Sequence, residues 1–150
     1  MPAITPSYLY TFFAILVVGS ILTLTFMNYA ESVMVSVDVK ELRGVINNVA
    51  AKIAELVNIV EGGNIAARAI IQVPASINGK QYWLRLTSEQ CKVWVEGYFG
   101  ESPLRSPCLR TCIPVNASAS GQYFGGYGAI ILECCRFNGQ IIVTISFTGG

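Results

Sequence analysis

The chain has 150 residues, enough for one ordinary domain beyond its first third. A net charge of +1 with no basic run gives nucleic acid nothing to hold, and the absence of histidine removes the commonest general base and metal ligand together. Apolar residues at 53% against 13% charged exceed what a soluble domain of this size carries, so the excess must sit in one place.

It sits at the start. Met1 to Ala30 contains no charged side chain, and YLYTFFAILVVGSILTLTFM (Tyr8 to Met27) is apolar or hydroxylic throughout. That run meets the length needed to cross a bilayer. Pro2 and Pro6 precede it, where proline is tolerated at a helix start, and Ser7 can cap, so the helix is expected to begin near residue 6 or 7. A cleavable secretory signal needs a basic flank, which Met1 to Ser7 lacks. The segment is therefore expected to stay in the mature protein; a basic leader removed before Met1 is the other reading of the same gap.

The helix is expected to continue to about residue 60. Val35, Val39, Leu42, Ile46, Val49, Ile53, Leu56 and Val60 follow one another at alternating spacings of four and three, a heptad seam. Asp38, Glu41, Asn48, Lys52 and Glu55 take the other side, and Gly62-Gly63 supplies a stop. Such a helix would be about 80 Å long against a bilayer core of about 30 Å, so a simple anchor does not require it. The seam can serve neighbouring helices, or its last turns can pack on the chain's own second domain. Domains are expected at 1–62, a transmembrane helix with its heptad extension, and 63–150, a β-rich globular domain.

Beyond Gly63 the apolar period becomes two. Ala69, Ile71 and Val73 alternate with Arg68 and Gln72; Tyr82, Leu84 and Leu86 with Gln81, Arg85 and Thr87; Cys91, Val93 and Val95 with Lys92 and Glu96. Asn78-Gly79 and Asn138-Gly139 mark tight turns, the latter joining AIILECCRF to QIIVTISF. The fold class is α+β, a long apolar helix followed by an antiparallel sheet or sandwich. Residues 99–127, rich in Gly, Ser and Pro, read as a long excursion. Trp83 and Trp94 fall on the polar faces of their strands, leaving large indoles at the surface unless that excursion covers them.

Cys91, Cys108, Cys112, Cys134 and Cys135 all follow the apolar segment, which in an exported domain reads as disulfides. Neighbours Cys134 and Cys135 should face opposite sides of a strand, and a bridge from Cys108 or Cys112 to a strand cysteine would tie the excursion down by roughly 2–4 kcal/mol. Zinc is disfavoured because paired C-x2-C knuckles and histidine are missing. A thiol enzyme is disfavoured because no histidine can activate Cys134 or Cys135. No catalytic residue, cofactor or metal is expected. Asn116-Ala117-Ser118 is an N-x-[ST] acceptor inside the excursion, so Asn116 carries a glycan or is an ordinary polar turn.

A retained apolar segment, a heptad-patterned helix and a β-rich second domain together resemble the type IV pilin superfamily. IQVPASINGKQYWLRL (Ile71 to Leu86) is similar to a strand-turn-strand segment of archaeal pilins and archaellum components. Thr5 stands where bacterial pilins carry glutamate, and residue 1 is Met instead of a processed aromatic, so the archaeal branch fits better. The resemblance implies a structural subunit of an extracellular pilus filament, a homopolymer that waits in the membrane before assembly and serves adhesion. Phe12, Phe13, Leu16, Gly19, Leu22 and Phe26 would then pack between neighbouring helices, with Gly19, Ser20, Thr23 and Thr25 allowing close approach. The fourteen large apolar side chains from Tyr8 to Met27 would contribute on the order of 20–40 kcal/mol, at roughly 1.5–3 kcal/mol each, as an upper bound. The alternative is a single-pass anchored β domain, a minor pilin or archaellum-associated component, that binds a surface ligand. Tolerance of Ile46→Asn is expected to mark that solitary anchor.

Overall fold

The computed structural model describes residues 5–100 and 109–148. One helix, α1 (Thr5–Glu61), is followed by β1 (Ala66–Ile71), β2 (Tyr82–Glu89), β3 (Lys92–Phe99), β4 (Leu109–Ile113), β5 (Ala117–Ser120), β6 (Gln122–Phe124), β7 (Ile130–Phe137) and β8 (Gln140–Phe147). The α+β layout is the one expected. The helix closes as its sequence suggests: Gly62 N–H donates to the Asn58 carbonyl at 3.0 Å, and Gly63 adopts a φ of +117° that ends the helical run.

The strands form two four-stranded sheets, ordered β1-β7-β8-β5 and β4-β3-β2-β6. Pairing is antiparallel except between β5 and β8, which run parallel, a departure from the all-antiparallel expectation. It arises because the 99–127 stretch is not a structureless excursion: its described part contributes β4, β5 and β6. In β5 only alanines point inward, Ala117 and Ala119, alternating with exposed serines. Ser120 ends β5 in one sheet and Gln122 begins β6 in the other, so Gly121 alone carries the chain across.

Three two-residue turns organise the rest. Asn138 and Gly139 (φ +49° and +80°) join β7 to β8, with Phe137 facing Gln140, and Asn78-Gly79 (φ +48° and +73°) closes the Ile77–Lys80 bridge. The third is Gln90-Cys91 (φ +52° and +60°) between Glu89 and Lys92. Cys91 is therefore an exposed turn residue and not the first inward residue of β3.

The chain divides into two compact units, Met1–Asp38 and Val39–Gly150, and the division falls inside α1. In the second unit the inner faces of both sheets and the last turns of α1 share one core. Leu42, Ile46, Val49, Ile53, Leu56 and Val60 of the heptad seam are all buried with Tyr82, Leu84, Val95, Tyr123, Leu132 and Val143. A Cβ placed on Gly97 of β3 would stand 2.5 Å from Ile46 Cδ1, which shows how closely helix and strand approach. The seam from Leu42 onward is thus consumed by the chain's own sheets, whereas Val35 is exposed and Val39 half-buried. Ile46→Asn consequently reports on folding and cannot mark a solitary anchor: an amide without a partner in this core is expected to cost about 3–5 kcal/mol, read by urea unfolding of the full chain in detergent.

Two buried tyrosines tie loops to that core. Tyr82 Oη donates to the Pro74 carbonyl at 2.6 Å and Tyr123 Oη to the Gly128 carbonyl at 2.7 Å. Burial holds both phenols above their ordinary pKa; for Tyr82 the neighbouring Tyr123 and Glu41 push the same way. The folded state therefore keeps the proton where the unfolded chain, near pKa 10, gives it up. Stability is fully present below about pH 10 and is lost above it, at up to about 1.4 kcal/mol per pH unit for each tyrosine. Unfolding midpoints between pH 8 and 11.5 should show this loss, and Tyr82→Phe should flatten it while lowering stability at neutral pH by about 1 kcal/mol.

Candidate functional site

The surface that distinguishes this molecule is the first unit's helix. All fourteen large apolar side chains from Tyr8 to Met27 are exposed, Tyr10 at 76% and Leu16, the least, at 49%, and Val33, Met34, Val35 and Val37 continue the exposure. Isolated exposed apolar residues are ordinary, but an exposed uncharged stretch of this length is not. By length and composition α1 can cross a membrane.

Five hydroxyls on this segment are bonded back to the helix itself. Ser20 Oγ donates to the Leu16 carbonyl at 2.7 Å, Thr23 Oγ1 to Gly19 at 2.8 Å and Thr25 Oγ1 to Ile21 at 2.8 Å. Ser32 and Ser36 donate likewise to Tyr29 and Val33. Turned back on the main chain, these hydroxyls present only their carbon surface to an apolar environment. Gly19 lies where two shallow apolar grooves meet, one including Thr11, Ala14 and Val18, the other Ser20 and Thr23. A Cβ added at Gly19 meets nothing within 4 Å. Phe12, Phe13, Leu16, Leu22 and Phe26 are exposed around it.

The remaining residues singled out from the sequence lie in the second unit and do not converge on one site. Cys112 is half-exposed on β4, opposite Trp94; Cys134 is buried on the inner face of β7; Cys135 is exposed on the outer face of the same strand. With Cys91 in a turn, these four are free thiols spread over three elements, where a bridge from Cys112 to a strand cysteine was expected, and Cys108 lies outside the described residues. Burial, then the neighbouring Cys135 and Glu61, raise the Cys134 pKa and keep it a thiol. Among the described residues no cluster of His, Cys, Asp and Glu could hold a metal ion. Asn116 is exposed immediately before β5, and Ser118 points outward from that strand, so the acceptor triplet is accessible.

The outer face of the second sheet was legible only in part. Trp83 is on the outward side, as its alternation indicates, yet it is 4% exposed because Tyr98 stacks on it at 4.3 Å and Phe124 packs beside it at 6.4 Å. Trp94 is half-buried under the Arg110 guanidinium, 4.8 Å from the ring centroid. Arg110 also pairs with the buried Glu96 at 2.8 Å, and Tyr98 Oη donates to the same carboxylate at 3.0 Å. Comparison with protein-family models, with curated proteins and with solved structures returns no match.

Proposed function

We propose that the chain is a structural subunit of an archaeal extracellular type IV pilus filament, held in the membrane by its apolar helix before assembly and serving adhesion once assembled. The observation that carries this reading is the fully exposed apolar surface from Tyr8 to Val37, attached in sequence to a unit whose own core is complete. Lipid satisfies that surface before assembly; sister helices satisfy it afterwards, and a heterologous contact that never closes produces a helical polymer.

The experiment is Gly19→Leu. Because the added side chain has open space around it in the single chain, folding and membrane insertion are expected to be unchanged. Filament yield is expected to fall by about tenfold or more, since a leucine holds neighbouring helices apart where a glycine lets them meet. Normal filaments from this variant would contradict the proposal.

The consumption of the seam from Leu42 to Val60 inside the second unit favours a second reading, a single-pass anchored β domain that presents a ligand-binding surface. Under that reading the purified chain, reconstituted in bilayers, stays monomeric at every protein-to-lipid ratio. Under the filament reading it self-associates as the ratio rises.

A further inference from the structure

The outer face of β2 and β6 carries groups that the packing of the domain leaves unused. Arg85 is exposed and makes no ion pair among the described residues, although Glu96 lies directly across on β3: that carboxylate is already taken by Arg110 and Tyr98. On its other side Arg85 faces Gln122 of β6, which is also exposed. Thr87 Oγ1 is buried and without a protein partner. These three line one groove of about 550 Å³ together with Ser120, within the range of small-ligand sites.

Beside it lies an aromatic wall. Phe124 follows Gln122 by two residues on the same face, which places it diagonally from Arg85 at about 7–8 Å. It is 39% exposed and continues into Tyr127 at 6.3 Å and Phe147 at 5.4 Å from Tyr127, both open to solvent. Beside it, across the strand pair, Trp83 packs against the wall, and its buried indole N–H has no protein partner.

We infer that this face binds an acidic saccharide, a uronic-acid-containing glycan. The C–H face of a pyranose ring lies on Phe124 and Tyr127, the ring carboxylate takes the fork of Arg85, and ring hydroxyls meet the exposed Gln122 and Ser120. An unpaired guanidinium alone would take any anion; the adjoining aromatic surface and uncharged hydrogen-bonding groups select a polyol that carries the charge. The site is independent of the apolar helix, so it stands whether or not the chain polymerises.

The full chain, held in a detergent without a sugar head group, is titrated calorimetrically with tetragalacturonate, maltotetraose and tetraglutamate. Tetragalacturonate is expected to bind, with the neutral sugar and the acidic peptide each at least tenfold weaker. Arg85→Gln and Phe124→Leu are each expected to weaken tetragalacturonate about tenfold; the thermal unfolding midpoint stays in place for Arg85→Gln, and the Phe124→Leu chain, which loses a ring packed beside Trp83, remains folded at the titration temperature. Absence of tetragalacturonate binding overturns the inference. So does tetraglutamate binding as tightly with Phe124→Leu indifferent, which would reduce the face to a simple anion patch.

Discussion

Gly121→Ala is expected to destabilise the second unit by about 3–5 kcal/mol and to lower its melting temperature by more than about 12 °C, measured by circular dichroism of the full chain in detergent. Two costs add at this position. Its φ of +117° is one that side-chain-bearing residues adopt only with strain of about 1–3 kcal/mol. The new Cβ would also stand 2.5 Å from the Ile145 carbonyl oxygen and 2.8 Å from Ile145 Cγ2. Neither can withdraw, because Ile145 is a core residue of β8 and its backbone is held in the sheet. Nor can Gly121 move away: its carbonyl accepts the Leu86 N–H at 3.0 Å. Gly139→Ala is the control. Its φ is also positive, at +80°, but a Cβ there meets nothing within 4 Å, so only the conformational cost of about 1–2 kcal/mol should appear.

Deleting residues 1–37 is expected to have the larger effect on behaviour and the smaller one on folding. The remaining unit retains the helix turns from Leu42 to Val60 that complete its core, and it should give a cooperative melt and a single monomeric species in plain buffer. The full chain should not, because its fourteen exposed apolar side chains from Tyr8 to Met27 demand lipid, detergent or one another. Sedimentation velocity on the two forms separates them. Stopping the deletion at residue 37 matters, since a cut at 62 would remove Ile46, Val49, Ile53 and Leu56 and leave both sheets without part of their core.

That boundary illustrates what a sequence can and cannot show. The helix, its charge-free start and its Gly62-Gly63 stop were legible because each follows from local chemistry, as were the Asn-Gly turns, whose residues tolerate positive φ. The partner of the heptad seam was not legible, because Leu42, Ile46 and Val49 present the same stripe to a sister helix as to a sheet of their own chain. Gln90-Cys91 escaped notice because neither residue favours the left-handed conformation it adopts there. The strands β4, β5 and β6 are three to five residues long, and β5 exposes serine and buries alanine, too weak a contrast to register as alternation. Trp83 was placed on the right face but its burial depends on Tyr98 and Phe124, one of them on a strand that the sequence did not reveal.

The exposed apolar surface was the most legible feature, since nothing but composition is needed to find thirty uncharged residues. Membrane anchoring and polymer formation both start from that surface. Electron microscopy of filaments sheared from the source cells, with peptide mass mapping of the material, distinguishes them directly. Filaments whose dominant peptides belong to this chain are the predicted result; recovery of the chain solely as a monomer in the membrane fraction would contradict it.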